Sequence, residues 1–336
     1  MRSGPDLIRA TKPYAEEHLP TTWRLFVTSA FVALLAAVAA AIGPHLAVRV
    51  AGSIVLGGMI VRFFIFFHDC LHRAIFKRSK LGQALLYVFG LLILTPPKVW
   101  RDSHNYHHRH TSKLAGSSIG SFPLTTVKMY RAMGAGQRFA YRATRHPLNI
   151  LLAYVTIFGF GMCVANTIRQ PKKYWDAPLS LVVHAALIAA LTFAGGFDLA
   201  FFLVVLPMTI ACAAGAYLFY SQHTFPGMAL RPRETWEYTA AALRASSMTR
   251  MPRLMHWFTG NIGYHHVHHL NAAIPFYRLP EAARSIPELQ NPVETSLAPK
   301  EILACLRIHL WDEARSEMVG FDAARQPSSE GHTSAA

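Results

Sequence analysis

Four stretches of this chain are too long and too apolar to belong to an ordinary soluble core: 24–43, 46–67, 178–195 and 197–220. A helix rises about 1.5 Å per residue, so crossing the hydrocarbon of a bilayer takes about 20 apolar residues. The first two stretches are separated only by Pro44 and His45, and the last two meet at Gly195 and Gly196. The pattern predicts four transmembrane helices in two hairpins. Two further apolar stretches, 84–97 and 149–168, fit either a span or an interfacial helix. Only 15% of the 336 residues are charged, against about a quarter in soluble domains, which supports the membrane reading. The leader before the first stretch is longer and more mixed in charge than that of a signal peptide, so a retained span is expected.

The formal net charge of +15 admits nucleic acid, anionic headgroups or acidic proteins as partners. The basic residues flank the apolar runs and form no stripe on a soluble module, so headgroups are expected and nucleic acid is not. Arg49 and Arg62, near the two ends of the second run, are expected to snorkel to headgroups. Lys and Arg crowd the segment between the second run and residue 147, whereas the short candidate outer loops have none. Both termini and most of the polar mass are therefore expected on the cytoplasmic side. Cys70, Cys163, Cys212 and Cys305 form no C-x-x-C pair, which excludes disulfide scaffolds and zinc ribbons and leaves small buried apolar residues.

Histidine is the second constraint. "HDCLH" carries His68 and His72 at the end of the second run. "HNYHH" carries His104, His107 and His108, with His110 two residues later. "HHVHH" carries His265, His268 and His269 in the same x-x-H-H register, with His266 between them. Positions i, i+3 and i+4 share a helix face, so each group can aim its imidazoles in one direction. Neutral imidazole is a ligand for Fe, Zn and Cu. One H-x-x-x-H at a helix end is usually an ordinary core or surface histidine; three groups with repeated spacing are not explained that way. Eight imidazoles exceed the needs of one ion and suit two, and Asp69 and Asp102 are the only acidic residues between Phe67 and His146.

For the three groups to meet, an even number of crossings must separate each pair. That makes 84–97 re-entrant or interfacial, gives both crossings between His108 and His265 to the 178–220 hairpin, and leaves 149–168 interfacial or buried. The expected fold is an all-α integral membrane protein with interfacial helices and a cytoplasmic helical cap carrying a histidine-ligated dimetal site.

With these positions in hand, the boxes "HDCLH", "HNYHH" and "HHVHH" resemble those of the membrane-bound fatty acid desaturases. "WFTGNIGYHHVHHLNAAIPFYRLPEA" and "LFYSQHTFPG" are similar to the bacterial and plastid acyl-lipid branch that includes omega-6 (delta-12) enzymes, over roughly residues 12 to 285. The resemblance implies two Fe ions held by His68, His72, His104, His107, His108, His265, His268 and His269. It matches His223 in "YSQHTF" to a further ligand of the family. No catalytic side chain beyond the ligands is implied. Dioxygen is the implied co-substrate, and the implied reaction removes hydrogen from two adjacent methylenes of an acyl chain in a membrane lipid, a step beyond acid–base side chains. No "HPGG" motif of a fused haem-binding domain occurs, and the third box begins with His, not Gln; both point away from the front-end branch. Electrons are then expected from a separate, acidic ferredoxin-type donor at the basic face. His110 and His266 lie outside the family pattern and read as solvent-facing, with orienting donors as the other reading. Asn261 reads as a partner of metal-bound water or as a helix cap. The loop 113–130 is expected to border the substrate entrance, and the bacterial inner membrane is the expected location.

Other readings leave residues unused. A sister hydroxylase, ketolase or conjugase would carry the same boxes. A metal transporter would place its ligands within the spans, where only His184 clearly lies. Haem ligation needs two axial histidines and strands six. The segment "APKEILACLRIHLWDEARSEM" reads as cytoplasmic helix with Leu303 and Trp311 as core. Residues 1–320 are expected to form one domain, and 321–336 a disordered tail.

Overall fold

The structure, a computed structural model, describes residues 2–114 and 119–325. Its frame is helical. Helix α1 (Leu19–Ile42) starts where His18 accepts a hydrogen bond from the Thr21 amide and ends at Gly43. Helix α2 (Leu46–Leu71) follows and lies against it. Small residues set how closely the two approach: a Cβ on Gly52 would sit 2.6 Å from the Ala40 amide nitrogen and 2.8 Å from the Ala36 carbonyl oxygen. Backbones in contact gain dispersion energy that lipid cannot supply.

Helices α3 (Lys80–Leu92) and α4 (Pro97–His110) are bent against each other by 94°. Pro96 and Pro97 lack the amides that would continue α3. The carbonyls freed at that break are capped from helix α5 (Asp176–Ala200): Ser180 Oγ donates to Leu91 O at 2.7 Å, and His184 Nδ1 donates to Leu92 O at 2.6 Å. The one histidine inside an apolar run is thus a carbonyl cap, with Tyr154 on its other nitrogen.

Among the described residues, three helices are long and apolar enough to cross a membrane, Leu19–Ile42, Leu46–Leu71 and Asp176–Gln222, or four if the bent pair α3 and α4 is one span. The third leaves helical geometry at Gly195 and Gly196, where Gly196 has φ +78°; only glycine takes that conformation without strain. The π-helical turn Phe201–Val205 packs back on α5 before helix α6 (Leu206–Gln222) begins. Residues 149–168 form short α-helical turns around a π-helix, Tyr154–Val164, that packs on α5 and α6.

Several expectations are corrected. The protein is mostly helical but not all-α: Thr125–Thr126 pairs in parallel with Leu310–Asp312, which pairs antiparallel with Glu317–Val319, and Met248–Arg250 pairs in parallel with Glu294–Ser296. The C-terminal segment is helical only over Pro299–Arg307; Trp311 is core on a strand, and Leu303 is exposed. Arg62 does not snorkel. It is 3% exposed, bonded to Ser29 Oγ at 2.7 Å and to Trp257 O, with its guanidinium over the Trp257 ring. Arg49 turns to Ala40 O and Asp198. Of the expected tail, Phe321–Ala324 form a 3-10 turn packed on Tyr130 and Tyr141, and 326–336 lie outside the described residues. All four cysteines are unpaired.

Candidate metal centre

Each box sits where a helix end meets the others. His68 is in the last turn of α2 and His72 caps it; His104, His107 and His108 line one face of α4; and helix α7 (His265–Leu270) carries the third box. The imidazoles separate into two groups. His68, His72, His104, His108 and His268 bring one ring nitrogen each within 4.8 Å of one another, and His107, His223 and His269 do the same. His265 joins the second group, its Nε2 lying 2.8 Å from that of His223. The structure brings all nine of the histidines named as ligands from the sequence into these two groups.

The spacing of the nitrogens carries information about what they can hold. Nε2 atoms of His68 and His104 are 3.1 Å apart, of His104 and His108 3.0 Å, of His108 and His268 3.1 Å, and of His107 and His223 3.0 Å. Two nitrogens each about 2.1 Å from one ion lie about 3.0 Å apart at a right angle and about 3.4 Å apart at a tetrahedral angle. The observed spacings lie in the range that nitrogens sharing one ion require, so each group could hold a metal ion. The Nε2 atoms of His72 and His269 are buried with no protein partner among the described residues. An unsatisfied buried polar atom costs about 1–3 kcal/mol, which coordination would offset.

Charge and orientation agree with that use. Burial holds His265, His268 and His269 well below the ordinary imidazole range, neighbouring imidazoles adding to the effect. It pushes His223 down to about 4. The rings stay neutral and keep lone pairs for an ion at neutral pH. His223 Nδ1 donates to Ala245 O at 3.0 Å, which turns Nε2 toward the group. His68 Nδ1 donates to Asp69 Oδ1 at 2.8 Å, while Asp69 Oδ2 accepts the Phe276 amide at 2.7 Å. One carboxylate therefore orients the first box and ties it to the chain just beyond the third. Trp100 stacks on His104 with ring centroids 4.1 Å apart.

Residues outside the two groups depart from expectation. His266 is not solvent-facing: it is buried and points away, its Nε2 3.2 Å from Leu289 O. His110 is half-buried and stacks on Tyr106. Asn261 neither caps a helix nor reaches the centre; Nδ2 donates to Phe276 O at 3.2 Å. Sequence reasoning missed Asp69, Ala245 and Thr111 as supports. Asp69 beside His68 was a usable signal, whereas a backbone carbonyl leaves none.

A cavity of about 330 Å³ opens on the centre. His68, His104 and His265 stand at one end, and apolar side chains of α2 and α6 such as Ile60, Phe64, Met208 and Ala216 form the walls. From Met208 to Gln222 it follows α6 for roughly 20 Å. Gly120, Ser121, Phe122 and Pro123 of the loop expected at the substrate entrance line it as well; 115–118 of that loop lie outside the described residues.

The sequence profile of one family, fatty acid desaturase, matches residues 44–296. A fatty acid desaturase of Bacillus subtilis is 34% identical over 275 residues, covering 81% of this chain and 77% of that protein. An sn-1 oleoyl-lipid 12-desaturase of Synechocystis sp. is 26% identical over 239 residues, 70% of this chain and 67% of that one. An sn-1 acyl-lipid omega-3 desaturase (ferredoxin) of Nostoc sp. is 25% identical over 236 residues, 68% and 65% of the two chains.

Proposed function

The chain belongs to the fatty acid desaturase family of oxidoreductases, and from that premise we propose that it introduces a cis double bond into the acyl chain of a membrane lipid, using dioxygen and a ferredoxin-type donor. The observation that carries this reading is the apolar cavity ending on His68, His104 and His265. Two relatives act, by name, on acyl groups of lipids, and one names ferredoxin.

Two iron ions would be held by His68, His72, His104, His108 and His268 on one side and by His107, His223, His265 and His269 on the other. When bound, the iron pair supplies reductive activation of dioxygen and a route to breaking unactivated C–H bonds. The rest is work for the chain's own residues. The walls of α2 and α6 take in an acyl tail and exclude water, and the boxed end of the cavity fixes which carbons lie beside the centre. Asp69 and the Ala245 carbonyl hold His68 and His223 in one tautomer and one rotation, so the ligands need no reorganisation. Burial keeps the imidazoles unprotonated without carboxylates competing for the substrate's space.

The same reading assigns four spans in two hairpins, α1 with α2 and α5 with α6, with 84–97 and 149–168 not crossing. The boxes and both termini then face the cytoplasm of a bacterial inner membrane. A reporter fused after Arg169 that reads out as external would overturn this topology.

Fatty-acid profiling by mass spectrometry tests the activity, in a bacterial host expressing the chain with a ferredoxin system beside a His107→Ala, His268→Ala control. A new unsaturated acid absent from the control supports desaturation and reports bond position. A hydroxylated or oxo acid reassigns the chain to a sister oxygenase. Well-folded protein that binds no metal overturns the reading.

A further inference from the structure

The cavity serves the centre from the apolar side, and electrons need another way in. Segment 230–238 contacts the chain at Thr111, Ser112, Leu114 and His269, none of which lines the cavity. Arg231 pairs with the end of the second-box region, its amide donating to Ser112 O while the Leu114 amide donates to Arg231 O. Two aromatics of the segment reach down to the boxes. Trp236 is half-buried, and its indole N–H donates to Thr111 O at 2.8 Å. Tyr238 OH donates to His269 O at 2.6 Å. Thr111 is itself the junction of two ligands, donating through Oγ1 to His107 O at 2.7 Å and lying 3.4 Å from His269 Nδ1. A partly exposed indole is thus one hydrogen bond away from a residue touching both His107 and His269.

The surroundings of that indole are basic. Lys113 Nζ lies 4.0 Å over the Trp236 ring, and Arg109, Arg231, Arg233 and Arg244 are exposed. Of the two acidic residues in the segment, Glu234 is exposed, whereas Glu237 is engaged with the Thr239 and Ala240 amides at the start of the Tyr238–Arg244 helix. Arg109, Lys113, Arg231 and Arg233 form no ion pair among the described residues.

We propose that this face is the docking site of a small acidic one-electron carrier protein, with Trp236 and Thr111 conducting its electrons to the His107, His223 and His269 group. The proposal rests on the desaturase reading above. Opposite charge steers and orients an encounter, and electron transfer falls steeply with distance, so a carrier gains most where a ring contacts the ligands through hydrogen bonds. In each transfer one reduced carrier loses one electron and one ferric ion becomes ferrous. Two transfers serve one double bond: dioxygen takes up four electrons, two from carriers and two from the C–H bonds, and leaves as two waters with two protons from the acyl chain and two from solvent.

The test is stopped-flow oxidation of dithionite-reduced [2Fe-2S] ferredoxin by the full-length, iron-loaded protein in detergent, with reduced methyl viologen as a small donor needing no dock. Arg231→Glu with Arg233→Glu is expected to lower the second-order rate with ferredoxin at least tenfold at low salt, the difference shrinking as salt rises, with the methyl viologen rate kept. Trp236→Leu is expected to slow transfer within the complex while ferredoxin binding, followed by titration, is retained; Trp236→Phe, which keeps a ring but not the N–H bond, falls between. Wild-type ferredoxin rates in all three variants overturn the proposal, as does an equal loss with both donors, which marks a structural role. Wild-type protein that binds iron but oxidises neither donor overturns the reading beneath it instead.

Discussion

The two histidine groups are built from the same residue type at almost the same spacing, yet their surroundings differ. The group of His68, His72, His104, His108 and His268 backs onto Trp100 and the apolar cavity and has a carboxylate, Asp69, behind one ligand. The group of His107, His223 and His269 is supported by neutral partners, the Ala245 carbonyl and Thr111, and lies under the basic segment 230–238. The two groups therefore differ in what supports them, although both meet the cavity, the second through His265. What sits behind a ligand assigns its side; the box motifs alone do not.

The largest effect should come from breaking either group. His104→Ala and His223→Ala are each expected to remove turnover, by at least about 10³-fold, because the hard step belongs to the metals. Metal analysis of the purified variants should give close to one ion per chain in both cases. Loss of both ions from either variant would dissolve the distinction between the groups. Next in size, Asp69→Asn keeps the shape but weakens the hold on His68; it should lower metal affinity about 10–100-fold, measured by chelator competition, with no comparable loss in Thr111→Val on the other side.

Smaller still, Ala216→Phe fills the cavity wall and should raise KM for the acyl substrate about tenfold or shift bond position, with iron content unchanged. Equal inhibition of ferredoxin oxidation in that variant would argue against separate sides. The smallest effect is on stability. His266 belongs to neither group, and burial pushes its imidazole down to about 4, against about 6.5 when unfolded. The unfolded chain takes up a proton as pH falls through about 6.5 while the folded chain does not, so stability is present above that value and is lost on acidification toward 4. Metal-free wild type should melt a few degrees lower at pH 5.5 than at 7.5, and His266→Gln should lose part of that difference; an unchanged pH response in the variant would exclude His266 as a contributor.

What was legible in the sequence was what depends on neighbours along the chain. Span-length apolar runs, the Gly195–Gly196 break and the i, i+3, i+4 histidines each carry their geometry locally, and the structure has all three. His223 was readable only by resemblance, since nothing in "YSQHTF" says that Ala245 will turn its ring. Arg62 misled because snorkelling is the usual answer for a cation at a span end, and here Ser29 and Trp257 supply a protein solution. Trp311 is core as expected, but the segment around it misled as to element, because helical spacing continues past Arg307 while pairing with residues 125–126 and 317–319 decides the strand. His266 misled because its position between ligands says nothing of Leu289, 23 residues on.

The two groups have one further property in common: each contains a residue of the third box, His268 in one and His269 in the other. A ribosome making this chain finishes the Asp176–Gln222 helix and the first two boxes before either group has its full set. Four of the five rings in the first group, and two of the three in the second, precede residue 268. Complete assembly of either group therefore waits for the third box, and in the first group its ring closes on His108 from 160 residues further along the chain, a long-range contact that is slow to form by its topology.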